Sequence, residues 1–180
     1  MSNFQRIQER FNKLSVSEKE TLLKSIYFFS KDTKLFLEGR LLGTGGMEFI
    51  RQMEKETIGK VYRKGTPDIP NGKIVNSIIV KAHKSKVDTM IMLELQKLAY
   101  RGFIEFLNEY GGGPENFDTM ACKHLEDYLS LVKLKIDDPA EQRKVFEEVG
   151  EYLNQKDNMP TDTLYDTYEL VTGIKARRKY

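Results

Sequence analysis

At 180 residues, with 39% hydrophobic and 31% charged side chains, the chain has the composition of one folded globular domain and not of a disordered segment. Its one cysteine, Cys122, excludes an internal disulfide, which leaves a reducing, cytoplasmic setting as the expectation. The net charge of +2 conceals a polarised chain: residues 1–59 carry 10 basic and 8 acidic side chains, 60–86 carry 7 and 1, 87–172 carry 8 and 18, and 173–180 carry 4 and none.

The polar start, Met1 to Gln8, lacks a cationic stretch followed by an apolar run, so no export signal is expected. Phe4, Ile7, Phe11 and Leu14 recur every three or four residues and share one face of a short amphipathic helix. Ser15 before Glu18 and Ser17 before Glu20 each offer a hydroxyl and a carboxylate to the free amides of a helix start. The helix predicted there carries Leu22, Leu23, Ile26, Tyr27 and Phe29. Asp32 or Thr33 is expected to cap a third helix through Leu35, Phe36, Leu37, Leu41 and Leu42. Gly43-Thr44-Gly45-Gly46 stops it, since glycine accepts the left-handed angles of a helix end. A fourth helix is predicted from Met47 to about Val61.

Between Arg63 and Gly72 the run RKGTPDIPNG contains two prolines and two glycines, which exclude continuous helix and mark the longest irregular connection. Lys73 to about Lys84 is rich in β-branched residues that suit a strand. Val75, Ile78, Ile79 and Ala82 nevertheless cluster at helical spacing, and Lys73, Ser77, Lys81 and Lys84 recur on another face, so helix is the expectation. Asp88 caps a long helix to Tyr110 with one polar stripe, Glu94, Lys97, Arg101, Glu105 and Asn108. It is apolar elsewhere and belongs at the centre of a bundle. Those charges also rule out a membrane span, which needs about 20 mostly apolar residues.

Gly111-Gly112-Gly113-Pro114 ends this helix, with the proline placed in the first turn of the next, Glu115 to about Lys133. Asp138-Pro139 starts another, whose buried face is Val145, Phe146, Val149, Tyr152 and Leu153. A last helix holds Leu164, Tyr165, Tyr168 and Val171 and stops at Gly173. The expected fold is all-α, about eight helices packed as antiparallel hairpins in an irregular bundle or short stack. One domain spans 1–173, followed by a flexible basic tail over 174–180.

Three segments, LSVSEKETLLKSIYFFSKDTKLFLEGRL, KIVNSIIVKAHK and FIEFLNEYGGGPENFDTMACKHLEDYL, together resemble a family of small all-helical bacterial proteins known as a domain of unknown function. The resemblance covers most of the chain in order and includes the Asn108-Glu109-Tyr110-Gly111 turn. It implies a stack of helical hairpins similar to HEAT repeats, and no activity. The connection before Lys73 is less basic here than in that family and contains Asp68.

Chemistry-bearing clusters are sparse. Cys122 and His124 stand two apart on a helix and point about 200° apart, so they do not share a metal ion. His83 has no assignable nucleophile or orienting carboxylate and reads as a surface residue. Neither glycine cluster follows a strand or ends in Gly-Lys-Ser/Thr, so both read as turns and not as phosphate loops. Asp137-Asp138 and Glu147-Glu148 read as solvated faces. No cofactor or metal is expected, and no catalytic residue is assigned, although acidic residues from separate helices are free to converge.

The remaining feature is cationic. Lys73, Lys81 and Lys84 share a helix face, with Arg63 and Lys64 before it, Lys86 beyond it, and Arg177 and Arg178 in the tail. Such residues attract phosphates, yet they equally suit a solvated face or one docked on the acidic half of the same chain. The functional expectation is a non-catalytic helical module that binds a protein partner or itself. The alternatives are a nucleic-acid-binding accessory protein using these cations, and an enzyme whose site is not visible in sequence.

Overall fold

A computed structural model describes residues 2–43, 46–58, 69–159 and 161–178. Among them the chain forms nine helices and no strand: α1 (Asn3–Lys13), α2 (Val16–Phe29), α3 (Lys31–Leu42), α4 (Gly46–Thr57), α5 (Gly72–Lys84), α6 (Thr89–Tyr110), α7 (Phe117–Lys135), α8 (Pro139–Asn154) and α9 (Asp162–Thr172). The all-α expectation holds. Thr44, Gly45, Val61, residues 63–68 of the predicted irregular connection, Lys179 and Tyr180 lie outside the described residues.

Local chemistry sets most boundaries. Ser15 accepts from the Glu18 amide at 3.3 Å while the Glu18 carboxylate accepts from the Ser15 amide at 2.8 Å, closing the capping box that starts α2. Ser17, the other candidate, lies inside that helix. Ser30, not Asp32 or Thr33, caps α3: its extended backbone aims Oγ at the Thr33 amide, 3.1 Å away. Asp138 accepts from the Ala140 amide at 2.9 Å, with Pro139 in the first turn of α8 as expected. Pro114 is not helical. Its carbonyl accepts from the Phe117 amide at 2.9 Å in a tight turn, and α7 begins only at Phe117.

The core is built around α6, which packs most extensively on α7 and also meets α4 and α5; α7 in turn carries α9 and α8. Leu95, Ala99, Tyr100, Phe103 and Ile104 of α6 are fully enclosed. The Phe117 ring meets Phe103 and Phe106 edge-on, at centroid distances of 5.0 and 5.3 Å. Burying each such side chain contributes roughly 1.5–3 kcal/mol. Gly102 lets α4 approach closely, since a Cβ there would stand 2.4 Å from Thr57 Cβ. In α5 the buried residues are Val75, Ile78 and Ala82, spaced by three and four, so helical packing against α4 and α6 outweighs β-branched propensity.

The N-terminal helices differ. Neither α1 nor α2 buries a residue. α2 lies along α3, and α3 is tied to the core where Gly39 sits against Ser85 of the α5 end.

Candidate functional site

Lys73, Lys81 and Lys84 lie on α5 as predicted, and Lys73, Lys84 and Lys86 are exposed with no ion pair to a described residue. Lys81 is engaged: its Nζ lies 2.8 and 3.0 Å from the two carboxylate oxygens of Asp32, linking α5 to the first turn of α3. Lys81 and Lys84, with Asp32, Phe36, Phe49 and Ser85, line a depression of about 280 Å³. Asp32 already supplies the counter-charge there. Arg63 and Lys64 lie outside the described residues.

The C-terminal segment, expected as a flexible arm, lies over residues 174–178 against α9. Lys175 Nζ and the Ala176 amide both donate to Glu169, at 2.9 and 3.0 Å. Arg178 pairs with Asp166 at 2.5 Å, Glu169 at 3.6 Å and Asp162 at 3.9 Å, and its guanidinium sits 5.9 Å from the Tyr165 ring. Lys175 and the guanidinium hold the Glu169 carboxyl below its ordinary range, the Lys175 hydrogen bond being the main cause. Arg177 is exposed. α5 packs with α3, α4 and α6, whereas the tail rests on α9, which packs with α7 and α8.

Two polar clusters were hidden from sequence reading. His124 of α7, 1% exposed, stacks on Phe103 with centroids 5.9 Å apart, and its Nδ1 pairs with Gln96 Oε1 at 3.0 Å. The neutral tautomer with hydrogen on Nδ1 fits this contact, while Nε2 has no partner among the described residues. Burial, aided by Lys123 and opposed by Asp127, lowers its pKa to about 4. On the α6–α8 side Tyr152 donates to Glu105 at 2.7 Å, and Lys156 meets the same carboxylate at 2.7 Å. Arg101 and Lys156 flank the Tyr152 ring at 4.6 and 4.5 Å. Burial and the Glu105 hydrogen bond push the Tyr152 pKa up, so its phenol stays protonated and braces the two helices. His83 is exposed, and among the described residues no three His, Cys, Asp or Glu side chains converge as a metal site.

Exposed apolar side chains gather at the N-terminus. Phe4, Ile7 and Phe11 of α1, which share the apolar face of that amphipathic helix as expected, are 72, 64 and 43% exposed. Phe28 and Phe29 of α2 and Leu41 and Leu42 of α3 are also open to solvent. Leu23, Tyr27, Leu37, Leu41 and Leu42, with Lys24 and Glu38, line a groove of about 250 Å³ between α2 and α3. A second hollow of about 370 Å³ between α1 and α2 is lined by Phe11, Val16, Leu22, Leu23 and Ile26, with Lys19 and Glu20. Leu23 belongs to both, so the two hollows adjoin on α2. No helix among the described residues is long and apolar enough to cross a membrane. Comparison with protein-family models, with curated proteins and with solved structures finds no match to this chain.

Proposed function

We propose that this chain is a non-catalytic helical interaction module that docks through the apolar face of α1–α3. The observation that carries this reading is the set of exposed Phe, Leu and Ile side chains on three successive helices, around two hollows that share Leu23, beside a core that encloses residues of the same kind. With aromatic and aliphatic side chains each presenting up to roughly 150–250 Å², the exposed fractions amount to on the order of 1,000 Å². Monomeric proteins rarely leave contiguous apolar patches above about 600 Å², and larger ones mark interaction sites. A photo-crosslinking residue placed at Phe29 of α2 and, separately, at Leu170 of α9 tests the reading in cells. The two positions are matched at 83% exposure, so accessibility alone would label them equally. Adducts are expected from Phe29 in excess; equal yields, or none, defeat the proposal.

A nucleic-acid role draws on the exposed Lys73, Lys84 and Lys86. It is the weaker reading because Asp32 neutralises Lys81 and three carboxylates surround Arg178. Triple charge reversal at Lys73, Lys84 and Lys86, followed by titration with duplex and single-stranded nucleic acid at low and moderate salt, measures it.

A further inference from the structure

Resting on the docking role of α1–α3, we propose that the occupant is a second copy of this chain, each copy laying α1 into the partner's α2–α3 groove. Both halves of such an interface are present in one sequence and stay largely open: Phe4 and Ile7 are 72 and 64% exposed, and within the groove Tyr27 donates to Glu38 at 2.7 Å while Leu41 and Leu42 remain exposed. Phe4, Ile7 and Phe11 stand at i, i+3 and i+7 on a helix that buries nothing, which is the spacing by which an amphipathic helix anchors in an apolar groove. These anchors span about 10 Å of helix axis at 1.5 Å per residue. The groove they fit is walled by one-turn pairs on each side, Leu23 with Tyr27 on α2 and Leu37 with Leu41 on α3.

The chain's own α1 is held away from that groove. Its connection to α2 is Leu14-Ser15, both extended, and each is fixed by a cap: the Leu14 amide on the Phe11 carbonyl at 3.2 Å, and Ser15 in its capping box with Glu18. This geometry sets Phe11 beside Val16 and Leu22, on the side of α2 shared with α1, and Lys19 Nζ 5.5 Å from the Phe11 ring. Bringing α1 to the α3 side from within one chain would break those caps. A second copy fills the groove without that cost, and the exchange is reciprocal, giving a two-fold dimer in which each surface meets its own complement. The area suffices. About 800 Å² per partner makes an interface of standard size, and the exposed apolar face supplies that much.

Sedimentation and light scattering of the full chain across the micromolar range read the outcome. The unaltered protein is expected at twice the chain mass, and the Ile7→Glu/Phe11→Glu variant at half that mass. Neither residue is buried, so the circular dichroism of the variant should match the parent; Leu170→Glu on α9 should leave the dimer intact. Placement is read separately in a Cys122→Ser background, by mixing a Phe4→Cys chain with a Leu41→Cys chain. A disulfide between the two different chains supports the groove assignment. A dimer that persists in the double-glutamate variant overturns it. A monomeric chain whose Phe29 adducts contain a different protein overturns self-association while the docking role stands. A monomer that instead co-sediments with vesicles containing anionic lipid, or one that gives no adduct at all, overturns both.

Discussion

Leu22, Leu23, Ile26, Phe28 and Phe29 of α2 are 38 to 83% exposed, while Leu95, Tyr100, Phe103 and Ile104 of α6 are shut off from solvent. The residue types are alike, and the difference lies in the neighbours. α6 is wrapped by α4, α5 and α7, whereas among the described residues α2 has only α3 for extended packing. The apolar surface of α6 thus contributes to stability, and much of that of α2 stays open to solvent. A helix that contributes little burial to the fold also opens at little free-energy cost, so the N-terminal arm and the core are expected to behave as separate stability units.

The sharpest way to break this contrast is truncation of a matched aromatic residue in each region. Phe103→Ala in α6 is expected to lose about 3–5 kcal/mol in denaturant unfolding. Phe29→Ala in α2 should stay within about 0.5 kcal/mol, as for other surface substitutions. A comparable loss at both sites would mean that α2 is part of the cooperative core.

Acid should act on the core and spare the arm. His124 is neutral when folded, with its pKa lowered from 6.5 to about 4, so below pH 6.5 the unfolded chain takes up a proton that the folded chain refuses. The stability this supplies is fully present above pH 6.5 and is lost as pH falls toward 4. At about 1.4 kcal/mol per pH unit the loss reaches about 3 kcal/mol. Subtracting the pH profile of His124→Gln from that of the parent isolates this contribution from the carboxylates; a flat difference curve would refute the assignment.

A smaller effect is expected at Gly102→Ala, where the new Cβ would meet Thr57 Cβ at 2.4 Å and press α4 off α6. Overpacking of this kind costs about 1–3 kcal/mol. Smallest is Lys81→Ala, because the Lys81–Asp32 pair that pins α3 to α5 is largely exposed and worth roughly 0.2–1 kcal/mol. Its value is diagnostic: hydrogen exchange in α3 should quicken while that in α6 and α7 does not.

Helix starts and stops were legible because they are written within three or four residues: Ser15 with Glu18, Asp138 with Pro139, and Gly111 in the left-handed region at φ 68° after Tyr110. What covers a face is not local. The spacing of Phe4, Ile7 and Phe11 announces an apolar stripe and is silent on whether the same chain provides its lid. Nothing in the spacing of Gln96 and His124 pairs them; only tertiary packing joins them across 28 positions. Asp32 and Lys81, 49 apart, are the same case for charge. Counting cations along the chain locates the basic stretch and is silent on which of its charges are paired, as Lys81 is with Asp32.

The clasp on α9 carries a consequence for handling the protein. Glu169 receives both Lys175 and the Ala176 amide, and Arg178 bridges Asp162, Asp166 and Glu169, so the Lys175 and Arg178 side chains act as internal counter-ions for α9. Clipping the chain after Gly173 would strip that cover and leave Asp162, Asp166 and Glu169 as an open anionic edge. A proteolytic trim at this end would therefore reset the surface potential of the molecule and also remove Ile174 and Ala176, which pack against the core.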